Sequence, residues 1–299
     1  MSNQTVLKGV FLVGLGATSY GMLATFVKLA YGQGYTISEV IISQFTYGIL
    51  GMLCINLYQK LTSKTVAEKP TQKNILQLLL AGTSLGLTSV FYYLAIKFIP
   101  VSIAIVLLMQ TVWMGVLLES VLDRKWPSFQ KLIAVFVVLF GTFLATNLIE
   151  SNIKMDWRGL VLGMLSAGSF TATMFTSNRV ATNISSTQRS LYMLFGGAVI
   201  VFSFAFFTAT TPFNFEIFLN WGIIVSLFGT IIPPLLFTAG FPKTGIGLGS
   251  IVASLELPVS VLMAYFLLHE TVNMLQWSGI ALIILAIIIM NINFKKNII

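Results

Sequence analysis

The chain predicts an all-α membrane protein, with ten transmembrane helices in two inverted five-helix repeats around a central cavity. Composition, the spacing of apolar runs and an internal repeat carry that expectation. Of 299 residues, 57% are hydrophobic and 9% are charged, with a mean hydropathy of +0.92. An ordinary soluble domain carries about 25% charged residues. So few charges cannot cover a soluble surface, and the apolar content excludes disorder. A bilayer-spanning helix needs about 20 residues, so this length holds roughly ten spans with short turns.

Each span is an apolar run that ends at polar, Gly or Pro punctuation. The first runs from Lys8 to Ala30 and the second from Val40 to Tyr58. Ile75 to Lys97 is the third, closed by Pro100, and Val101 to Leu122 the fourth. Phe129 to Leu148 is the fifth, before a polar break from Glu150 to Arg158. Gly159 to Val180, Ser190 to Thr208 and Ile217 to Phe241 follow. Gly245 to Leu268 and Met274 to Asn293 complete the set. Within the eighth, Pro233-Pro234 removes two helix N–H donors, so a kink or break is expected there and the pair is a candidate hinge. The pairs Gly82/Gly86 and Gly159/Gly163 have the four-residue spacing that lets helices approach closely.

Lys and Arg stay in cytoplasmic loops. With the N-terminus inside, all of the 17 Lys and Arg except Lys28, Lys97, Lys154 and Arg158 fall on the inner side, Lys295 and Lys296 among them. The expectation is a multi-pass protein of the plasma (bacterial inner) membrane with both termini cytoplasmic. The net charge of +8 is scattered between apolar runs, so it reads as a topology signal and no nucleic-acid partner is expected. No cleavable signal peptide is evident, because the first apolar run is too long and lacks an A-x-A site. The sequon Asn183-Ile184-Ser185 falls in a loop predicted to be cytoplasmic and is not expected to carry a glycan. The single cysteine, Cys54, permits no internal disulfide and no cysteine-based metal site.

The polar break divides the chain into residues 1–149 and 150–299, helices 1–5 and 6–10, and the two halves end alike. SIAIVLLMQTVWMGVLLESVLDRKWPSFQ, Ser102 to Gln130, matches GSIVASLELPVSVLMAYFLLHETVNMLQ, Gly249 to Gln276. Each has a small-residue start, an apolar helix with a polar pair inside, an acid near its end (Asp123, Glu270) and a Gln opening the next helix. A repeat with an odd number of spans enters the membrane from opposite sides in its two copies. Transporters use such inverted repeats, with the substrate at the repeat interface near mid-bilayer.

These residues resemble the EamA repeats of the drug/metabolite transporter superfamily. The second repeat carries the resemblance in Gly249 to Pro258, Leu267-Leu268-His269-Glu270 and Gln276-Trp277-Ser278-Gly279. It departs where Leu257 intervenes before Pro258 and His269 stands for the usual Gly. In the first repeat Gln110-Thr111 stands where Pro is common, Asp123 replaces Glu, and Gln44 occupies a position often held by Arg. The resemblance covers nearly the whole chain. It implies a metabolite or drug transporter and points to amino acids and related solutes.

Glu256 sits in the middle of the ninth span, where an ionisable group is expensive and faces the bundle interior. One reading makes it a proton-coupling or substrate-ammonium site; the other, a structural carboxyl bonded to backbone that Pro258 leaves free. Gln44, Gln110 and Trp113 line either a helix seam or a watery cavity. Tyr20 and Tyr92 lie away from the interfacial belts and offer an apolar face with a hydrogen-bonding tip, or simply pack the core. Asn178 is a further candidate lining residue beside Arg179, which matches Lys28 in the other repeat; both cations can snorkel to an interface. The candidate substrate site is therefore Tyr20, Gln44, Tyr92, Gln110, Trp113, Asn178 and Glu256, with the first, third, fourth, sixth, eighth and ninth spans around it.

No Walker motif argues for direct ATP use, and Gly245-Ile246-Gly247-Leu248-Gly249 lacks the strand and spacing of a phosphate loop. The lone His269 has no ligand partner nearby, so no metal or cofactor is expected. An intramembrane enzyme would need a Ser/His pair, paired Asp or a metal cluster, and the chain offers none. The expected function is secondary transport: export or exchange of small amino-acid-like or amphipathic solutes by alternating access. Proton-coupled efflux of cationic drugs and a passive metabolite channel are the alternatives.

Overall fold

The computed structural model describes residues 2–62, 68–99, 101–146, 156–208 and 212–292. Lys64, Lys154, Lys295, Lys296 and the break at Glu150 lie outside them. The described residues form helices joined by short turns and loops, without a strand. Eight helical runs are long and apolar enough to cross a membrane, and two apolar helices are shorter.

The first repeat holds α1 (Asn3–Gly32), α2 (Ile37–Thr62), α3 (Gln72–Ala95), α4 (Val101–Leu108), α5 (Thr111–Asp123) and α6 (Phe129–Ala145). The second holds α7 (Trp157–Arg179), α8 (Ser186–Thr208), α9 (Ile223–Ser226), α10 (Ile232–Thr244), α11 (Ile246–Ala253), α12 (Glu256–Leu267) and α13 (Met274–Ile292). Oxygen-bearing caps start several of them: Ser2, Thr71, Ser128 and Asp156 each accept from a backbone N–H in the first turn. Thr36-Ile37-Ser38-Glu39 is a complete capping box, with Thr36 N donating to Glu39 Oε2 at 2.7 Å and Glu39 N to Thr36 Oγ1 at 3.3 Å.

The spans read as continuous fourth and ninth helices are each interrupted. In the fourth, Gln110 N donates to Leu107 O while its own amide nitrogen takes Val106 O at 3.0 Å. The side chain thus replaces a backbone donor and tightens one turn. In the ninth, the Pro258 ring crowds the carbonyl four residues back, Ser254 O, which accepts instead from Leu257 N at 3.2 Å. Each interrupted span is an eight-residue helix, two turn residues and a longer helix. Each then meets a left-handed residue, Arg124 (φ 51°) and His269 (φ 54°), at the same distance past the break.

Pro233-Pro234 sits in the first turn of α10. The missing N–H groups free carbonyls upstream, and the helix widens into a π turn over Leu227–Ile231, with a second over Phe218–Gly222.

Helix pairings come in reciprocal sets. α3 packs on α8 and α2 on α9 with its flanking turns; α1 packs on α10 and α7 on α3. α5 meets α11, and α6 meets α13. Gln130 at the start of α6 donates to Ile289 O of α13, and Gln276 at the start of α13 donates to Ala145 O of α6. At Gly86 an added Cβ would lie 2.5 Å from Gly197 O, so α3 and α8 touch backbone to backbone, as the glycine spacing predicts. One core of Val13, Met109, Val112, Val116, Met174, Phe237, Phe241 and Ile246 fills the end of the bundle that carries the start of α1.

Candidate functional site

Toward the opposite end, the bundle opens into a cavity of about 560 Å³. One face of α1 forms a wall with Tyr20, Leu23, Ala24, Val27, Lys28 and Tyr31, the helical spacing of a single stripe. α3 opposes it with Leu85, Thr88, Ser89, Tyr92, Tyr93 and Ile96. α12 supplies Glu256, Leu257, Ser260, Val261 and Ala264; α7 adds Phe170 and Thr173, and α2 adds Gln44. The mouth is bordered by Leu268, Glu270, Thr271, Val272 and Gln276.

Glu256 opens α12 and reaches the deep part of the cavity. Gly21 of α1 seats it there: a Cβ at that position would lie 2.5 Å from the Glu256 carbonyl oxygen. No hydrogen bond or ion pair joins the Glu256 carboxyl to another described residue. The backbone-bonded arrangement considered from the sequence is therefore absent among the described residues. Aromatic rings stand beside it, with Tyr20 stacked on Phe237 at 5.8 Å and Tyr92 edge-on to Tyr93 at 6.1 Å.

Two further polar atoms at the cavity have no partner among the described residues. The Gln44 side-chain oxygen is sealed from solvent, in a residue only 5% exposed, and the Tyr31 hydroxyl is buried. Most cavity hydroxyls are occupied locally: Thr88 donates to Ser84 O, Thr146 to Thr142 O and Thr173 to Ser169 O. Lys28 is the cation on the described lining, and it pairs with Glu270 across the mouth. The deep end thus presents an unpaired carboxylate with tyrosines, and the mouth presents a neutralised charge pair.

Of the residues singled out in the sequence, Tyr20, Gln44, Tyr92 and Glu256 meet at this cavity. Gln110 and Trp113 lie off its lining and satisfy one another, Trp113 Nε1 donating to Gln110 Oε1 at 2.9 Å. Asn178 lies near the far end of the bundle and donates to Phe241 O at 2.6 Å. The eighth span contributes no lining residue, whereas α2 and α6 do. Tyr31, Phe170, Thr173 and Ser260 were not anticipated; stripe spacing with Tyr20 and Glu256 signals Tyr31 and Ser260, and nothing local signals Phe170 and Thr173 on α7.

Two buried charges also escaped the sequence reading. Arg189, 2% exposed, donates to the carbonyls of Val180, Thr238, Thr176 and Ser177, tying together the last turn of α7 and the middle of α10. Glu39, 4% exposed, accepts from Asn214 N besides its capping box, fixing the start of α2 to the segment before the eighth span. The T-x-x-E pattern could have revealed Glu39; nothing local distinguishes Arg189 from a loop cation. Among the described residues, no group of three or more His, Cys, Asp or Glu is placed to hold a metal.

The sequence pattern of the EamA-like transporter family matches the chain twice, over residues 7–147 and 157–292. No curated protein matches it. A solved structure described only as a crystal structure of a protein shares the fold, with TM-score 0.77 and 13% identity over 96% of this chain and 97% of that one. Two matches spanning nearly all of a helical, membrane-crossing chain settle its kinship: it belongs to the EamA-like transporter family, a branch of the drug/metabolite transporters.

Proposed function

We propose that the chain is a secondary transporter that exports or exchanges small amino-acid-like or amphipathic solutes by alternating access. Its two five-helix repeats, residues 1–149 and 150–299, insert in opposite directions and rock about the cavity, with both termini in the cytoplasm of a bacterial inner membrane. The observation that carries this reading is a cavity reached from one end, with Glu256 unpaired at its depth and the other end filled by packed core. A conduit open at both ends would serve a passive channel; a single vestibule suits a site that changes sides. Tyr20, Gln44, Tyr92 and Glu256 receive the solute. The unpaired carboxylate also favours a second reading, efflux of organic cations.

Glu256 is the coupling residue in this account, alternately taking a proton and the ammonium of the solute. A thermal-shift screen of purified protein against amino acids, nucleosides and cationic drugs identifies the ligand class, because ligands of the folded form raise its apparent stability. With a ligand in hand, Glu256→Gln abolishes uptake driven by a pH gradient in proteoliposomes and leaves exchange partly intact. Unchanged uptake and exchange would remove Glu256 from the cycle.

A further inference from the structure

The reciprocal geometry of the two halves reveals which contacts belong to the captured state alone. Lys28 at the end of α1 pairs with Glu270 just past α12 at the mouth. Arg179 at the end of α7 pairs with Asp123 at the end of α5 at the opposite end. Each pair joins corresponding spans across the two halves, so both ends have the same ionic staple. The α1–α10 and α7–α3 packings are counterparts in the same way.

Packing at the sealed end breaks the correspondence. α7 packs against α10 and α11, and Asn178, the residue before Arg179, donates its amide to Phe241 O. The corresponding residue before Lys28 is Val27, which lines the cavity with α1 and α3 standing apart on either side of it. The gap between helices that forms the cavity at one end is therefore closed at the other, where Asn178 makes the direct hydrogen bond from α7 to α10, beside the Arg189 bridge between Thr176, Ser177 and Thr238. Val112 and Val116 of α5, counterparts of the cavity residues Leu257 and Val261, are 0% and 3% exposed behind that contact.

We propose that Asn178 is the clamp of the sealed end, and that its release from the Phe241 carbonyl opens a second vestibule lined by Thr111, Val112, Val116, Glu119 and Asn178. This inference rests on the alternating-access reading. Glu119, which pairs with Lys131, and the Asp123–Arg179 pair give that vestibule a charged outlet matching the mouth. Val27 offers no such hydrogen bond, so the two ends are held shut unequally and the conformation with the Lys28 end open is favoured.

The test uses full-length protein in nanodiscs on a Cys54→Ser background, with a water-soluble cationic thiol reagent. Val112→Cys reports the sealed end and Ala264→Cys the open one. Asn178→Val copies Val27; Asn178→Leu, of similar side-chain size, loses the donor without adding a charge and guards against a packing defect. The clamp predicts that Val112→Cys reacts slowly with Asn178 present and about tenfold faster in both variants, the change expected when one hydrogen bond biases two states. Ala264→Cys slows in parallel. Unchanged rates at both positions overturn the clamp, as does a rise at both, which would mean general loosening. Val112→Cys that stays unreactive while the protein turns over ligand overturns the second vestibule. Absence of any uptake by the parent protein fails the transport reading instead.

Discussion

Arg189 and Gln44 are both polar, both buried and opposite in their consequences. Arg189 donates to four carbonyls, three around the end of α7 and one within α10. Arg189→Met strands them in a dry interior, so thermal unfolding in nanodiscs reports a loss of at least about 2 kcal/mol; an unchanged midpoint would mean those carbonyls find other donors. Gln44 has a side-chain oxygen without a partner among the described residues, so its removal spares the fold a desolvated group. Gln44→Leu leaves the unfolding midpoint equal or higher while ligand affinity falls about tenfold, the weight of one hydrogen bond to a solute. Lowered stability with unchanged affinity would make Gln44 a packing residue. Residue type alone could not separate these roles. Tyr20, Gln44, Tyr92 and Glu256 were legible as polar groups within apolar spans, whereas Gln110 and Trp113 look equally suited yet bond to each other.

The helices themselves follow apolar length and Gly/Pro punctuation, and these are written plainly in the chain. What periodicity does not register is a single turn of altered hydrogen bonding. The fourth span breaks because the Gln110 amide takes Val106 O, a side-chain choice, and the ninth because of Pro258, whose effect falls four residues upstream. The Pro233-Pro234 pair acts likewise, with the π turn over Leu227–Ile231 directly upstream of the prolines. If that π turn is the hinge of the eighth span, replacing both prolines by Ala restores regular helix and slows exchange; unchanged transport kinetics would exclude the hinge. At the start of α12, Gly21→Val forces side-chain atoms into the Glu256 carbonyl, displacing the carboxylate by the overlap. Ligand affinity falls in that variant even where thermal stability drops only by the roughly 1–3 kcal/mol of a small overpacking, and intact affinity would show that α12 is positioned by other contacts.

At the scale of the whole molecule, the family pattern matches twice along the chain, and the resemblance between Ser102–Gln130 and Gly249–Gln276 lies within those two matches. Which end stands open could not be read from that resemblance, because it depends on small differences between corresponding residues, such as Val27 against Asn178. A filled core surrounds Met109, Met174 and Phe241 at one end and the Glu256 cavity lies toward the other, the arrangement expected of the proposed site with one-sided access. Counterflow measures that property directly. Proteoliposomes preloaded with excess unlabelled ligand, then diluted into a trace of labelled ligand, accumulate label above its equilibrium level before it decays, because a carrier exchanges its occupant one molecule at a time. A smooth approach to equilibrium without overshoot, at a rate indifferent to preloading, would contradict the account.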